Sequence, residues 1–265
     1  MRIVRTVDEV RRALADAHDV GLVPTMGALH AGHRALFRRA RSDSELVVAS
    51  LFVNPSQFGD AGDLAAYPRD ETRDAGIAET EGVDLLFAPP AEEIYPPGFQ
   101  TWVDVTDLAR GFEGAARPGH FRGVATVCLK LFEIVRPQRA YFGQKDAQQV
   151  AVVRQLVRDL VLPLELRVVP TVRDPDGLAL SSRNVRLSSQ DRERALALPR
   201  ALQAGAAASR AGADPEAAAR ARLDGLEPDY VGVLDVGWGV RVLAAAVRVG
   251  STRLIDNVIL EGELP

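Results

Sequence analysis

Two of the chain's four histidines, His30 and His33, stand three residues apart in the run Pro24-Thr25-Met26-Gly27-Ala28-Leu29-His30-Ala31-Gly32-His33. On a helical turn that spacing projects both side chains to one side. The run falls where a short apolar stretch, 20–23, hands over to a helical pattern over 31–41. A helix beginning there offers unsatisfied N–H groups and the positive end of its dipole, which together make an anion site. Gly27 and Gly32 permit close backbone approach to a ligand. Two imidazoles on such a turn can donate hydrogen bonds to a polyphosphate whose charge grows during reaction. A zinc pair is the weaker alternative, because the other histidines are His18 and His120 and no carboxylate is suitably spaced.

Three further constellations occupy comparable places. Asn54-Pro55-Ser56-Gln57-Phe58-Gly59 lies at the end of the most apolar run, 46–53. Its amides can both donate and accept, which suits a ligand with hydroxyls and a carboxylate, although the same residues also make a capped turn. Tyr141-Phe142-Gly143-Gln144-Lys145-Asp146-Ala147-Gln148-Gln149 again leads from an apolar run into a helix. Lys145 at a positive helix terminus is unfavourable unless an anion lies between, so its placement signals phosphate. Gln149, three residues beyond Asp146, can face the same cleft. Leu180-Ser181-Ser182-Arg183-Asn184 gathers two hydroxyls, a guanidinium and local N–H groups, either as an oxyanion clamp or as a solvated Ser-rich loop. The sequence has neither a Walker loop nor a GxGxxG turn.

These residues need a scaffold that sets several strand ends side by side. Apolar runs at 20–23, 46–53, 84–87, 140–142 and 164–169 alternate with helical patterns over 31–41, 69–81, 126–135 and 147–160. The alternation predicts an α/β fold, a Rossmann-like parallel sheet domain with helices on both faces, over residues 1–171. Ligands of such sheets sit outside the carboxyl ends of the strands. The pattern changes after Pro170. Arg173-Asp174-Pro175-Asp176-Gly177 signals a hairpin turn, Ser188 or Ser189 caps a long Ala-rich helix running past Leu202, and Asp214-Pro215 starts another. Three β-rich segments, 230–236, 240–249 and 254–260, finish a smaller α+β C-terminal domain over 172–265, expected to act as a hinge-linked lid.

With 265 residues, 47% of them hydrophobic, the chain can bury a sizeable core, which excludes disorder as its main state. Lys+Arg 32 against Asp+Glu 36 leaves no concentrated basic face, so nucleic acid is not an expected partner. The one cysteine, Cys128, can form neither an intrachain disulfide nor a Cys-based zinc site. The start has no apolar signal-peptide core, and the longest apolar run falls well short of the ~18 residues that span a bilayer. The expectation is a soluble cytoplasmic protein with no membrane partner.

The HxGH turn followed by a Ser/Arg/Lys loop resembles the HxGH nucleotidylyltransferase superfamily. More closely, Pro24 to His30, Phe52-Val53-Asn54-Pro55, Gln57-Phe58-Gly59, Tyr67-Pro68-Arg69, Phe142 to Asp146, Gln148-Gln149 and Gly177 to Asn184 together resemble the pantothenate synthetase (pantoate–β-alanine ligase) family, and Thr252-Arg253-Leu254-Ile255-Asp256-Asn257 is similar to its C-terminal end. Seven ordered blocks are specific where a single HxGH is not. Ala31, Ser56 and Leu180 depart from the family's usual residues, and 235–241 is shorter than its counterpart.

The resemblance implies a ligase that condenses pantoate with β-alanine through an enzyme-bound pantoyl adenylate, using ATP and releasing pyrophosphate and AMP. It implies an ATP site at Met26 to His33, Gly143 to Asp146, Val172 and Leu180 to Arg183, with His33, His30, Lys145 and Arg183 as the catalytic set. Gln57, Gln149 and Asn54 would hold pantoate, and β-alanine would overlap Gln57. Magnesium follows from ATP chemistry, its protein ligands unassigned, with Asp70, Glu71 and Asp74 as candidates. A homodimer is expected by resemblance alone. The alternatives are a nucleotidylyltransferase acting on a phosphorylated acceptor and a non-catalytic ATP sensor.

Overall fold

A computed structural model describes residues 1–59 and 61–265. The chain divides into two compact units, Met1–Phe142 with Val152–Val169, and Gly143–Ala151 with Pro170–Pro265. The segment Gly143–Ala151, which the sequence pattern places within 1–171, thus groups with the C-terminal part.

In the first unit, β1 (Arg2–Val4), β2 (Val20–Thr25), β3 (Leu46–Leu51), β4 (Leu85–Phe87), β5 (Arg139–Gly143) and β6 (Glu165–Val169) form one sheet in the order β1-β4-β3-β2-β5-β6. The β1/β4, β4/β3, β3/β2 and β2/β5 pairs all run parallel. β3 reads as a continuous apolar run because it is covered on both faces: Val47, Val48 and Ala49 are all fully buried. Val47 and Ala49 share a core cluster with Leu36, Phe37 and Ala40 of the helix Ala31–Asp43. The helix His120–Val135, buried along most of its length, packs on β2. Successive strands from β2 add outward through β3 and β4, and β5 then returns to the other side of β2, so the order reverses at the β2/β5 pair.

Local chemistry explains where the elements differ from expectation. β2 continues through Pro24 to Thr25 because its ladder with β5 ends at Leu22, so the missing N–H of Pro24 breaks no bond there. β1 has three residues, too few to show a period, and is held by pairing with β4. The expected helix over 126–135 starts earlier, after Gly119 at φ 80°. The single helix expected from Ser188 past Leu202 is two, Ser189–Ala195 and Ala197–Arg210. Pro199 has no N–H to return to the carbonyl of Ala195, so the helix breaks at Leu196.

In the second unit, β7 (Pro228–Gly237), β8 (Val240–Val249) and β9 (Thr252–Glu261) form an antiparallel sheet in that order. Trp238 and Gly239 link β7 to β8 with φ of 56° and 74°, the positive pair that matches the twist of a two-residue hairpin. Leu198, Ala201 and Leu202 of the helix Ala197–Arg210 share a core with Leu243, Ala245 and Val247 of β8. Among the described residues, no helix is long and apolar enough to cross a membrane.

Cys128 lies wholly inside, and burial pushes its thiol up to about 12. Reactivity needs the thiolate. The native protein at pH 8 is therefore expected to leave Cys128 unmodified by a thiol reagent, whereas the denatured chain takes up one equivalent. Rapid labelling of the native protein contradicts this packing.

Candidate active site

β2 ends in a turn that the chain grips from a distance. Gly27 and Ala28 are consecutive left-handed residues, at φ 83° and 52°. Glycine adopts that conformation freely, but for alanine it carries strain that neighbours must offset. Asp74, on the helix Glu71–Thr80 and 1% exposed, does so: its Oδ2 accepts the Ala28 N–H at 2.7 Å and its Oδ1 the Leu29 N–H at 2.9 Å. A side chain at position 27 would meet Asp74 Oδ2 and Leu51 Cδ1, each at 2.9 Å, so only glycine lets the carboxylate approach. Arg73 donates to the Leu29 carbonyl at 3.2 Å, and the Tyr67 hydroxyl to the Gly27 carbonyl at 3.4 Å.

The helix Ala31–Asp43 then starts on a reciprocal cap made of two histidines. The Gly32 N–H donates to His30 Nδ1 at 3.1 Å, and the His30 N–H donates to His33 Nδ1 at 3.2 Å. The ring centroids are 4.2 Å apart. Because each Nδ1 accepts, the proton of each neutral ring must sit on Nε2, which makes both Nε2–H groups donors. The first turn carries no acidic side chain, so no carboxylate of that turn neutralises the positive helix end.

The amide turn is equally constrained. Asn54, 1% exposed, donates through Nδ2 to Gln57 Oε1 at 2.9 Å and to the Gly123 carbonyl at 3.1 Å. Its Oδ1 accepts from the Ser56 N–H, the Ser56 hydroxyl and the Tyr95 hydroxyl. Both N–H groups of Asn54 are thus engaged inside the protein, where they fix the Gln57 amide with the Gln57 NH2 as its donor end. Burial pushes the Tyr95 hydroxyl up, against a lowering hydrogen bond with Ser56, and keeps it a donor. His120 and Arg117 both reach the Gln57 carbonyl, at 3.0 and 3.4 Å. Gly123 lets this turn lie on the helix His120–Val135: an added Cβ would fall 2.5 Å from the Ser56 carbonyl oxygen.

In the second unit, Gln144–Asp146 form a short 3-10 turn ahead of the helix Ala147–Asp159, with the half-buried Gln149 in that helix's first turn. Lys145 Nζ lies 3.7 Å from Asp146 Oδ1. The Arg173 region turns back on itself: the Leu180 N–H donates to the Val172 carbonyl at 3.0 Å, and Arg173 bridges Ala179. That ladder delivers the chain to Ser181, whose hydroxyl accepts the Arg183 N–H at 3.2 Å and caps the 3-10 helix Ser182–Arg186. Lys145, Ser181, Asn184 and Asp256 line one small cavity of about 10 Å³. The structure thus brings Lys145 and Ser181 together.

The three carboxylates expected as magnesium candidates have other duties. Asp70 accepts the Arg73 N–H as a helix cap, Glu71 pairs with Arg5 at 2.7 Å, and Asp74 holds the turn. Among the described residues, no group of three or more His, Cys, Asp or Glu side chains could hold a metal. The donors among the described residues do not fit a resident ion. Sequence reasoning missed the roles of Asp74, Tyr95, His120 and Asn257, none of which carries a local motif that announces its distant partner.

A family model for pantoate–β-alanine ligase matches residues 2–259. A pantothenate synthetase of Roseiflexus castenholzii is 53% identical over 277 residues, covering 98% of this chain and 100% of its own, and one of Chloroflexus aurantiacus is 52% identical over 279, covering 99% of each. The crystal structure of a pantothenate synthetase from Thermus thermophilus superposes with a TM-score of 0.92 at 49% identity, over 97% of this chain and 99% of that one. A pantoate–β-alanine ligase of Francisella tularensis, complexed with β-γ ATP and β-alanine, superposes with a TM-score of 0.86 at 35% identity, over 99% of each chain.

Asp74→Ala strands one buried and one part-buried N–H donor and releases a strained turn. Each unsatisfied donor costs on the order of 1–3 kcal/mol. Denaturant unfolding should show a loss of at least about 1 kcal/mol, with a raised KM for ATP in the folded enzyme. Wild-type stability and KM together contradict the clamp.

Proposed function

The chain belongs to the pantoate–β-alanine ligase family, and from that premise we infer how its residues divide the work of an ATP-dependent ligation of pantoate to β-alanine. In the first half-reaction, a pantoate carboxylate oxygen attacks the α-phosphorus of ATP. A pantoyl adenylate forms and pyrophosphate leaves. In the second, the β-alanine amine attacks the acyl carbonyl, the bond to AMP breaks, and pantothenate and AMP are the products.

The reading rests most on the histidine cap. His30 and His33 accept backbone N–H groups through Nδ1, so the donor that each neutral ring offers to phosphate oxygens is its Nε2–H. They stabilise charge moving onto pyrophosphate as it departs, at a helix end that already favours anions. Met26, Gly27, Ala28, Leu29, Ala31 and Gly32 line this ATP site through the backbone. Lys145 and Arg183 supply full positive charge to the same phosphates, with Gly143, Gln144, Asp146, Leu180, Ser181 and Ser182 around them and Val172 against adenine. Gln57 and Gln149 hold pantoate, Asn54 fixing the orientation of Gln57, and β-alanine takes the place beside Gln57 once pyrophosphate has gone.

No Ser–His–Asp arrangement is legible in the sequence, and the one cysteine is buried, so the acyl group is carried by AMP rather than by the protein. Rate comes from aligning carboxylate and phosphorus and from preorganised donors. Magnesium belongs to this scheme as a companion of the ATP phosphates, part of the substrate rather than a resident ion. A homodimer working in the cytoplasm completes the reading, supported by the family resemblance.

His33→Ala and Lys145→Ala are each expected to lose about 10²–10³ in the rate of AMP formation from ATP, pantoate and β-alanine, the usual cost of one preorganised donor. Circular dichroism should show the fold retained. A rate within tenfold of wild type removes the assigned role.

A further inference from the structure

The Thr252–Asn257 block has no place in the chemistry above, yet its last two residues are its least expendable. Along β9 the burial pattern alternates until Asp256 and Asn257, which are adjacent and both buried, at 2% and 1% exposure. Alternate strand residues point to opposite faces, so the strand is covered on both sides here by groups that a carboxylate and an amide must satisfy.

Asn257 Nδ2 donates to the Gln144 carbonyl at 2.8 Å and to the Lys145 carbonyl at 3.0 Å, while its Oδ1 accepts from Gln144 Nε2 at 3.1 Å. Two of these bonds fix the backbone from which Lys145 projects, and the third ties down the Gln144 side chain. Asp256 takes both guanidinium nitrogens of Arg173, at 2.6 and 3.0 Å, and Arg173 also donates to the carbonyls of Gly177 and Asn257. Arg173 is the residue bridged to Ala179, two positions before Ser181. Asp256 further lines the small cavity with Lys145 and Ser181. A bidentate ion pair on a buried carboxylate is an expensive way to hold a loop on a strand, and its value lies in fixing one geometry.

We propose that Asp256 and Asn257 are positioning residues for the ligation: one dipeptide of β9 anchors both the Lys145 turn and the ladder leading into the Ser181–Arg183 loop, and so sets the register between the two phosphate-binding elements of this unit. The proposal rests on the reading of Lys145 as a phosphate ligand.

A double-mutant cycle tests it. Asn257→Asp keeps the size and the Oδ1 acceptor but removes the two N–H donors; Asn257→Ala removes all three bonds. Either variant, in steady-state assays of AMP formation, is expected to lose at least tenfold in kcat while KM for pantoate changes less than twofold. Introduced into Lys145→Ala, it should cost less than a further twofold, because the group it positions is already gone. Thermal unfolding identifies which variants are folded, and Asn257→Asp carries the test if Asn257→Ala is not. Near-wild-type kcat in a folded variant, or losses that multiply with Lys145→Ala, overturn the positioning role. If Lys145→Ala alone is fully active, the assignment of Lys145 has failed and the proposal falls with it, a result distinct from a Lys145→Ala loss that Asn257 does not share.

Discussion

A helix that begins on an imidazole has to spend part of that imidazole on its own backbone, and the first unit is arranged around this constraint. His30 accepts from Gly32 and His33 accepts from His30, as Ser or Asp and Glu do in an ordinary capping box. A cap contributes only about 1 kcal/mol to stability. Its chemical consequence is larger: it fixes which nitrogen carries the proton on each ring, at a helix end with no acidic side chain in its first turn. The cap holds only if the preceding turn delivers the chain at the correct angle. That turn includes a left-handed alanine, and the Asp74 carboxylate pins it from another helix.

The same economy recurs wherever a functional side chain is placed. Gln57 does not find its own rotamer, since Asn54 holds its carbonyl and Tyr95 holds Asn54. Lys145 is set by Asn257 through two main-chain carbonyls. In each case a buried amide or carboxylate with its hydrogen bonds made inside the protein supports a more exposed group. Electrostatic catalysis by preorganised donors needs this, because a donor displaced by about 1 Å can lose about 10²-fold in rate.

Most of the architecture was legible in the sequence. The alternating runs identified five strands of the parallel sheet, and turn and cap residues marked the C-terminal elements. The short edge strand β1 carried too few residues to show a period, and the helix break at Leu196, ahead of Pro199, was masked by its Ala-rich surroundings. Of the site, the residues bearing chemistry stood out because glycine, histidine and lysine at strand ends are locally odd. Their supports did not, because the evidence for them is long-range. Asp74 acts on residues 45 and 46 positions away, and Asn257 on residues 112 and 113 positions away. Magnesium was expected from ATP chemistry with its protein ligands unassigned, and in the fold Asp70, Glu71 and Asp74 are each engaged by an N–H or a guanidinium.

Everything assigned to the histidine cap and to Lys145 supposes that pantoate is activated on AMP before the amine takes part. Exchange of labelled pyrophosphate into ATP, measured with pantoate present and β-alanine absent, isolates that first step. Pantoate-dependent exchange is expected, followed by AMP release when β-alanine is added. Absence of exchange under conditions where the complete reaction proceeds would contradict the adenylate mechanism.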